Sequence, residues 1–430
     1  MQLYKTNALN FDEIFKNILT RGQMDMDTVT PKVQALLDEI KTDKDKALCS
    51  QVEQFDGWSP KDGDALLIST EEMKKAYETL NLDLKKALHV AHSRITHFHE
   101  QQLPKSWMHY EKNGTVLGQK VTAVDKAGLY IPGGKAAYPS SLLMNAIPAI
   151  VAGVEEIIVC TPAPNNRLNP LLLAALHLCG IKKAFKIGGA SAIGAMAFGT
   201  QSVSKVDVIT GPGNIYVATA KKMVFGEVNI DMIAGPSEIG IIADSSANAR
   251  FVAIDLLSQA EHDQMASSIL ITPDLTLANA VKKEIEAYLP KLEREKIARE
   301  SIETRGAIIV TKDLKEAINL MNKIAPEHLE IMTENPHSLL PYIRHAGAIF
   351  LGNYTPEAIG DYIAGPNHTL PTGGTARFYS PLGVENFMKK SSIISFSKSA
   401  LDELGPLCAS LANCESLTAH EASIKERLRS

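Results

Sequence analysis

The sequence predicts an α/β protein with two open, mostly parallel Rossmann-like layers, plus small helical N-terminal and C-terminal parts. Three observations lead to this fold class. Short β-like runs alternate with helical runs from about residue 121, and the alternation starts again near residue 239. Glycine-rich turns follow several of the candidate strands, and 430 residues are enough for more than one domain. Strand–helix alternation of this kind is typical of a parallel sheet covered by helices on both faces.

The elements follow from hydrophobic periodicity. Two long helical runs at 30–41 and 70–99 precede the first block. Its predicted strands are 121–130, 157–160, 184–187 and 206–209, and its predicted helices are 139–151, 169–178, 191–197 and 215–224. In the second block the predicted strands are 239–243, 268–272, 307–311, 329–333 and 348–351, and the predicted helices are 251–261, 276–288 and 314–324.

These elements suggest four regions. Residues 1–120 form a helical N-terminal region, which we expect to pack on the second α/β domain. Residues 121–237 form the first Rossmann-like domain and residues 238–380 the second, with the turn at 234–237 as the seam. Residues 381–430 form a C-terminal helical tail.

Composition excludes several classes of protein. The formal net charge of −5 argues against a nucleic-acid binder, which normally carries an excess of basic residues. Apolar stretches such as 146–154 and 171–179 are far shorter than the roughly 18 residues that span a bilayer. The N-terminus lacks a secretory signal, and the five cysteines show no C-x-x-C spacing. We therefore expect a cytoplasmic protein without a nucleic-acid or membrane partner.

Glycine-rich turns mark the first block. Gly133-Gly134, Gly188-Gly189 and the run 211–214 each follow a candidate strand. Glycine lets the backbone approach a ligand, and the next helix can receive a phosphate at its N-terminus. None of the turns is a full G-x-G-x-x-G fingerprint, and no clear acidic partner lies about 20 residues further on. Nucleotide binding and ordinary tight turns both remain open from the residues alone.

Half of a candidate metal site lies at the end of the apolar run 251–257. Gln259 and His262 are three residues apart, so on a helix they share a face. Asp361, in a glycine- and proline-rich stretch, offers a hard oxygen, and His368 is a competing ligand there. His420 in the tail is a further candidate. Such a mixed N/O set suits Zn²⁺ and would also accept Mn²⁺ or Co²⁺, although a turn aspartate and an exposed histidine are the alternatives.

Glu327 and His328 are the candidate acid–base residues. Pro326 is expected to end the preceding helix, which places the pair on a helix-to-strand connection. Adjacent side chains on irregular backbone can reach one pocket, where a carboxylate and an imidazole offer proton acceptors of different basicity. The alternative is a solvated glutamate beside a histidine that caps helical carbonyls.

The motifs that carry these residues resemble, in order and over nearly the whole chain, those of the histidinol dehydrogenase family. The matching segments are 128–134 (GLYIPGG), 211–214 (GPGN), 234–238 (AGPSE), 258–262 (SQAEH), 326–330 (PEHLE), 364–368 (AGPNH), 375–377 (TAR) and 380–383 (SPLG). The resemblance implies a zinc-dependent oxidation of L-histidinol to L-histidine by two NAD⁺ through bound L-histidinal, as the last step of histidine biosynthesis.

The resemblance also implies roles for individual residues. One Zn²⁺ per subunit would be held by Gln259, His262, Asp361 and His420. Glu327 and His328 would be the catalytic acid–base pair. Substrate contacts would come from Ser237, Glu415, His328 and the four zinc ligands.

Tyr130 and Asn214 would contact NAD⁺ in such an enzyme. The family often has glutamine where this chain has Ser191, and the shorter hydroxyl cannot make the same amide contact. The family forms homodimers in which the tail of one chain completes the site of the other, so the tail at 381–430 is expected to reach a partner subunit.

Two other functions compete with this interpretation. A zinc-dependent hydrolase could use the same metal, glutamate and histidine to activate water. A non-catalytic metabolite-binding module would turn over no alcohol. The glycine-rich first block favours a nucleotide cosubstrate, and the appearance of NADH on adding histidinol and NAD⁺ separates all three.

Overall fold

The computed structural model describes residues 1–20, 25–133 and 138–429. It confirms the predicted fold class, because two all-parallel sheets with helical layers make up most of the chain. Gly134, in the first predicted glycine turn, lies outside the described residues. None of the described helices is both long enough and apolar enough to cross a bilayer.

The N-terminal part begins with one strand and continues as helices. Its elements are β1 (Gln2–Lys5), α1 (Phe11–Leu19), α2 (Thr30–Asp43), α3 (Asp45–Asp56), α4 (Thr70–Thr79) and α5 (Leu82–Glu100). The predicted helical run 70–99 is therefore two helices. They divide at Asn81, whose side chain caps α5 by accepting a hydrogen bond from the Leu84 N–H.

The first parallel sheet has the strand order β6-β5-β4-β7-β8. The elements from 107 to 230 are β2 (Trp107–Tyr110), β3 (Val116–Ala123), β4 (Lys126–Tyr130), α6 (Pro139–Ala152), β5 (Glu156–Thr161), α7 (Pro170–Leu178), β6 (Lys183–Lys186), α8 (Gly189–Phe198), β7 (Val208–Thr210), α9 (Ile215–Val224) and β8 (Asn229–Ile230). In the register, Gly128 of β4 lies between Ile158 of β5 and Ile209 of β7. Buried aliphatic residues on both faces of these strands form the core, as expected for a covered parallel sheet.

The second parallel sheet has the order β1-β11-β10-β9-β12-β13. Its elements are β9 (Glu238–Ala243), α10 (Ala249–Ala260), β10 (Ser267–Thr272), α11 (Leu275–Tyr288), α12 (Glu295–Thr304), β11 (Ala307–Val310), α13 (Leu314–Ile324), β12 (His328–Met332), β13 (Ala348–Leu351) and the short α14 (Glu357–Ile359). Sequence analysis missed α12 and also β1, which joins this sheet beside β11 from the start of the chain.

Most of the N-terminal helices pack on the first sheet, so the expectation that they pack on the second is wrong for α2 to α5. Val33 and Leu37 of α2 join the core that contains Tyr130. Met73 of α4 and Ile95 of α5 join the other core of the first sheet. Of the described N-terminal helices, α1 is the one whose buried residues join a core of the second sheet. Amphipathic helices of this kind show in sequence that they bury a face, but not which face they meet.

The tail is not wholly helical, contrary to the expectation for 381–430. It contains β14 (Met388–Ser395), followed by α15 (Lys398–Cys414) and α16 (Thr418–Arg429). β14 pairs antiparallel with β3, and β2 completes a three-stranded sheet in the order β14-β3-β2. The predicted strand 121–130 is accordingly two strands, since β3 belongs to this separate sheet and β4 to the first parallel sheet.

A short connection relates the two parallel sheets. β8 pairs with β7 in the first sheet, and β9 begins in the second sheet only eight residues after β8 ends. Seven connecting residues span at most about 25 Å. The carboxyl end of the first sheet is therefore near the amino end of β9.

Candidate active site

The first candidate metal ligands lie at the end of α10. Gln259 is buried in its last turn, and His262 follows just beyond the helix end, where its backbone N–H donates to the Gln259 carbonyl. The Gln259 side chain is oriented by two neighbours. Its amide nitrogen donates to the Glu357 carboxylate, and its oxygen accepts from the backbone N–H of Glu238 at 2.8 Å. His262 is exposed at the rim, so it can be reached by a ligand from outside.

Asp361 meets this pair through an irregular helical segment. α14 runs into a π-helical turn over Gly360–Ala364, where sequence analysis expected a glycine-rich loop. The turn places Asp361 and Glu357 on the same side as His262, with one ligand atom of each residue within 4.8 Å of the others. Such π turns often occur at functional sites, because they rotate side chains out of the α-helical pattern.

Glu357 is the residue of this cluster that sequence analysis missed. It is buried, although glutamate in a short helix after a proline is normally solvated. Its spacing of four residues from Asp361 was the available signal, because residues at that spacing share a helical face.

His328 lies at the first position of β12, surrounded by carboxylates. Its Nδ1 is 3.1 Å from the Glu238 carbonyl oxygen, 3.7 Å from Glu327 Oε2 and 3.8 Å from Glu357 Oε1. Its Nε2 is 3.7 Å from Asp361 Oδ1. The contact with the backbone carbonyl favours a proton on Nδ1, which leaves Nε2 directed toward Asp361.

These contacts shift the proton affinity of His328. Burial by itself lowers the pKa of the imidazole. The nearby carboxylates of Glu357, Glu327 and Asp361 outweigh this effect and raise the pKa well above 6.5. A protonated His328 therefore compensates part of the negative charge of its acidic neighbours.

The buried glutamates hold their protons unusually strongly. Burial raises the pKa of Glu327 to about 7, although His328 opposes the shift. Burial and the charge of Glu327 raise the pKa of Glu238 to about 8. Burial also raises the pKa of Glu357 to about 8. A carboxyl group with a pKa near 7 can both accept and donate a proton at neutral pH, which suits Glu327 for general acid–base chemistry.

Two imidazole nitrogens in this region have no hydrogen-bond partner among the described residues. They are Nε2 of His328 and Nε2 of His368, and both are buried. Burial lowers the pKa of His368 and so favours its neutral form. Both residues line a cavity of about 790 Å³, together with Asp361. This volume lies within the usual range for small-molecule sites.

Ser237 lies directly before β9, half-buried and next to Glu238. Glu415 and His420 are different, because both are exposed. Glu415 ends α15 and His420 lies in the first turn of α16, and these two helices pack together around Gly405. Neither residue is among the described residues that line the 790 Å³ cavity. Within one chain, then, the structure brings Gln259, His262 and Asp361 together but leaves His420 elsewhere.

The three candidate NAD-binding residues line one separate cavity of about 380 Å³. Tyr130 ends β4, and its hydroxyl accepts a hydrogen bond from the Gly189 N–H at 3.2 Å. Asn214 caps α9 through bonds from the backbone N–H groups of Tyr216 and Val217. Ser191 is buried, and its hydroxyl donates to Gln51 Oε1 at 2.6 Å. Its contact with NAD⁺ stays a prediction, and the hydroxyl already has a protein acceptor.

Known proteins similar to this chain identify its family. The family model described as histidinol dehydrogenase matches residues 19–428. A histidinol dehydrogenase of Sulfurimonas denitrificans is 66% identical, with 97% of each chain covered. One from Wolinella succinogenes is also 66% identical, with 98% of each chain covered. The crystal structure of histidinol dehydrogenase from Elizabethkingia anophelis superposes with a TM-score of 0.94 at 37% identity, covering 100% of this chain and 98% of that one. The chain is therefore an oxidoreductase that belongs to the histidinol dehydrogenase family.

Proposed function

We propose that this chain catalyses the zinc-dependent, NAD-linked oxidation of L-histidinol to L-histidine through bound L-histidinal, the last step of histidine biosynthesis. The main support is the buried Glu327–His328 pair in a chain of this family. His328 contacts Glu357 and Asp361, and it lines the 790 Å³ cavity together with Asp361. The balanced reaction converts the alcohol, one water and two NAD⁺ into the carboxylate, two NADH and three protons. The enzyme therefore needs bases that work more than once.

The donor set fits a zinc ion. Gln259, His262 and Asp361 would hold it, and Glu357 offers a further carboxylate oxygen within the same cluster. Several buried carboxylates around one histidine are costly without a compensating cation, which also favours a metal here. When bound, zinc would anchor the imidazole and amino groups of the substrate, and His420 would complete its ligands from a second copy of the chain.

His328 is the base for the alcohol. In the proposed sequence His328 accepts the hydroxyl proton of histidinol while the first NAD⁺ takes the hydride. The carboxylates of Glu357 and Asp361 raise the pKa of His328. When a cation compensates their charges, His328 releases its proton more readily and can then act as a base. Glu327 then removes a proton from the water that adds to the aldehyde carbon. His328 accepts the proton of the hydrated aldehyde as the second hydride leaves.

The active enzyme is proposed to be a homodimer with shared sites. Glu415 and His420 are exposed in the single chain, on a tail that also exposes apolar side chains such as Leu407 (64%) and Leu411 (70%). The three-stranded sheet exposes more of them, at Trp107, Tyr110 and Ile394. Several large apolar side chains left exposed in this way are typical of a surface that contacts another protein. A partner that covers it could receive Glu415 and His420 at its own cavity.

The test measures NADH formation with histidinol and, separately, with histidinal. Wild-type protein should form NADH from both, whereas a hydrolase or a binding module would form none. Glu327→Gln should lower turnover of histidinal by about 10²–10⁴-fold, because this variant removes the base that activates water. Hydride removal from histidinol, measured as the first turnover, should fall much less.

The matched control is Glu334→Gln, an exposed glutamate on the same stretch of chain. It should leave both rates unchanged. Equal losses in the two reactions of Glu327→Gln would contradict the division of work between Glu327 and His328.

A further inference from the structure

The first sheet lacks an acidic residue at a position where dinucleotide-binding folds usually have one. Its order β6-β5-β4-β7-β8 corresponds to the strand order 3-2-1-4-5, with β4 as the first strand and β5 as the second. In that fold an Asp or Glu at the end of the second strand binds the ribose hydroxyls of NAD. Here β5 ends at Thr161 and is followed by Pro162, Ala163 and Pro164, none of which is acidic.

Asp56 supplies a carboxylate at this point from a distant part of the sequence. It is the last residue of α3, and its Oδ2 accepts a hydrogen bond from the backbone N–H of Ala163 at 3.1 Å. Asp56 is only 9% exposed, and it lines the 380 Å³ cavity. Within the described parts of the chain, no hydrogen bond reaches its other oxygen, Oδ1. One carboxylate oxygen is therefore held by the protein and the other is free for a ligand.

The helix that carries Asp56 is fixed to the first sheet by buried contacts. Gln51, five residues earlier on α3, accepts the hydrogen bond from Ser191 of α8. The Gln51 amide nitrogen donates to the Leu36 carbonyl at 3.2 Å, and this ties α3 to α2. The segment from Gln51 to Asp56 is therefore held at both ends, by the bonds of Gln51 and by the bond from Ala163 to Asp56. Asp56 is thus preorganised, and little conformational entropy is lost when a ligand binds it.

The same cavity has a place for phosphates. α8 begins at Gly189 without a side-chain cap; the Gly189 N–H donates to the Tyr130 hydroxyl, and the amides that follow it remain available to an anion. A Cβ on Gly188 would lie 2.6 Å from the Pro162 side chain, so only glycine lets the backbone come this close to the cavity wall. Lys32, the one basic side chain among the described lining residues, lies over the Tyr216 ring at 5.4 Å. Phosphate at these groups would leave the attached ribose to extend toward Asp56.

We propose that Asp56 accepts hydrogen bonds from the adenosine-ribose hydroxyls of the dinucleotide and excludes a 2′-phosphate, so that it sets the preference of this chain for NAD over NADP. The inference rests on the proposed NAD-linked function. A 2′-phosphate would bring a second negative charge against a buried carboxylate that forms no ion pair with any described residue, and such contacts discriminate strongly between ligands.

The test compares two probes that lack nicotinamide, ADP-ribose and 2′-phospho-ADP-ribose, by titration calorimetry on the full-length protein. Wild-type protein should bind ADP-ribose at least about 100-fold more tightly. Asp56→Asn keeps an acceptor for the Ala163 N–H but removes the charge. It should weaken ADP-ribose binding about tenfold and reduce the preference to below about tenfold. The NAD⁺/NADP⁺ ratio of kcat/KM should change in the same direction.

Three further variants make the result decisive. Asp56→Glu keeps the charge and should keep the preference even if Asp56→Asn folds poorly. Asp64→Asn, an exposed acid outside the cavity, should leave both affinities unchanged. Lys32→Gln should weaken both probes alike.

Equal binding of the two probes by wild-type protein would overturn the proposal, as would an unchanged preference in Asp56→Asn or a changed preference in Lys32→Gln. Because calorimetry uses no histidinol, the proposed function fails separately, through absence of NADH formation from histidinol by the wild-type protein.

Discussion

The cavities of about 380 Å³ and 790 Å³ lie at opposite ends of their sheets and differ in the charges around them. The 380 Å³ cavity follows the carboxyl ends of the first sheet and has a single acid, Asp56, among its described lining residues. The second cavity, of about 790 Å³, lies at the amino ends of β12 and β13 and is lined by His328, around which Glu238, Glu327 and Glu357 are buried. Open α/β sheets usually bind ligands at carboxyl ends. The first cavity follows that rule and suits recognition, whereas the second concentrates charge and suits proton transfer.

The second cavity also differs in that we propose a second copy of the chain to complete it. Mixing Gln259→Ala chains with His420→Ala chains should raise activity from background to about one quarter of the wild-type value, because half of the dimers are mixed and each has one intact site. The measurement is NADH formation after the two proteins are unfolded together and refolded.

A control mixture combines Gln259→Ala with Asp361→Ala. Both residues come from the body of the same chain, so every site in the mixed dimer is damaged and activity should stay at background. Recovery in this mixture, or none in the first, would contradict a site shared between subunits.

A substitution at Glu357 tests whether the buried carboxylates beside the second cavity contribute to metal binding. Glu357→Gln removes one carboxylate of the His262–Glu357–Asp361 cluster and also the acceptor that orients Gln259. We expect zinc affinity, measured by competition with a chromophoric chelator, to fall about 10–100-fold. Activity should largely return when zinc is in excess. Loss of activity with unchanged zinc affinity would instead assign Glu357 to the reaction itself.

The pH dependence of stability should distinguish the two cavities as well. Glu327, Glu238 and Glu357 have pKa values raised to about 7, 8 and 8, so the fold favours their protonated forms. Their contribution is complete below the unfolded pKa of about 4.5 and is lost as pH rises through 7 to 8. The raised pKa of His328 acts in the same direction.

The Tm of chelator-treated protein should therefore fall by a few degrees between about pH 6 and pH 8. Zinc should reduce this slope, because a cation stabilises the ionised carboxylates. Glu238→Gln should reduce the slope of Tm with pH in the zinc-free protein. A Tm that rises with pH in the chelated protein would show that these groups are not the ones that control stability.

In the first cavity, a substitution at Ser191 should change NAD⁺ binding only slightly. Ser191→Ala leaves Gln51 without its buried hydrogen-bond donor, so we expect a loss of roughly 1–3 kcal/mol in the free energy of unfolding. The KM for NAD⁺ should rise only about two- to threefold, with kcat unchanged, if Ser191 acts by holding α3. An increase above about tenfold without loss of stability would make Ser191 a direct NAD⁺ contact.

Local patterns in the sequence predicted much of the fold. The predicted helix 314–324 and strand 348–351 have the bounds seen in the structure, because apolar periodicity and the nearby proline and glycine residues determine them. The strand β14 was missed, since residues 388–395 lack a clear alternating pattern and pair with β3, more than 250 residues earlier in the chain. Long-range pairing leaves little trace in either strand alone.

Collinear motifs were enough to predict the fold class, the family, and Gln259, His262, Asp361, Glu327 and His328 as site residues. Which helices cover which sheet, that Glu357 joins the cluster, and that Asp56 lies at the end of β5 became visible only in the folded chain. The physical reason is the same each time. A motif specifies side chains that are near in sequence, whereas burial and charge depend on neighbours brought together from distant segments by packing.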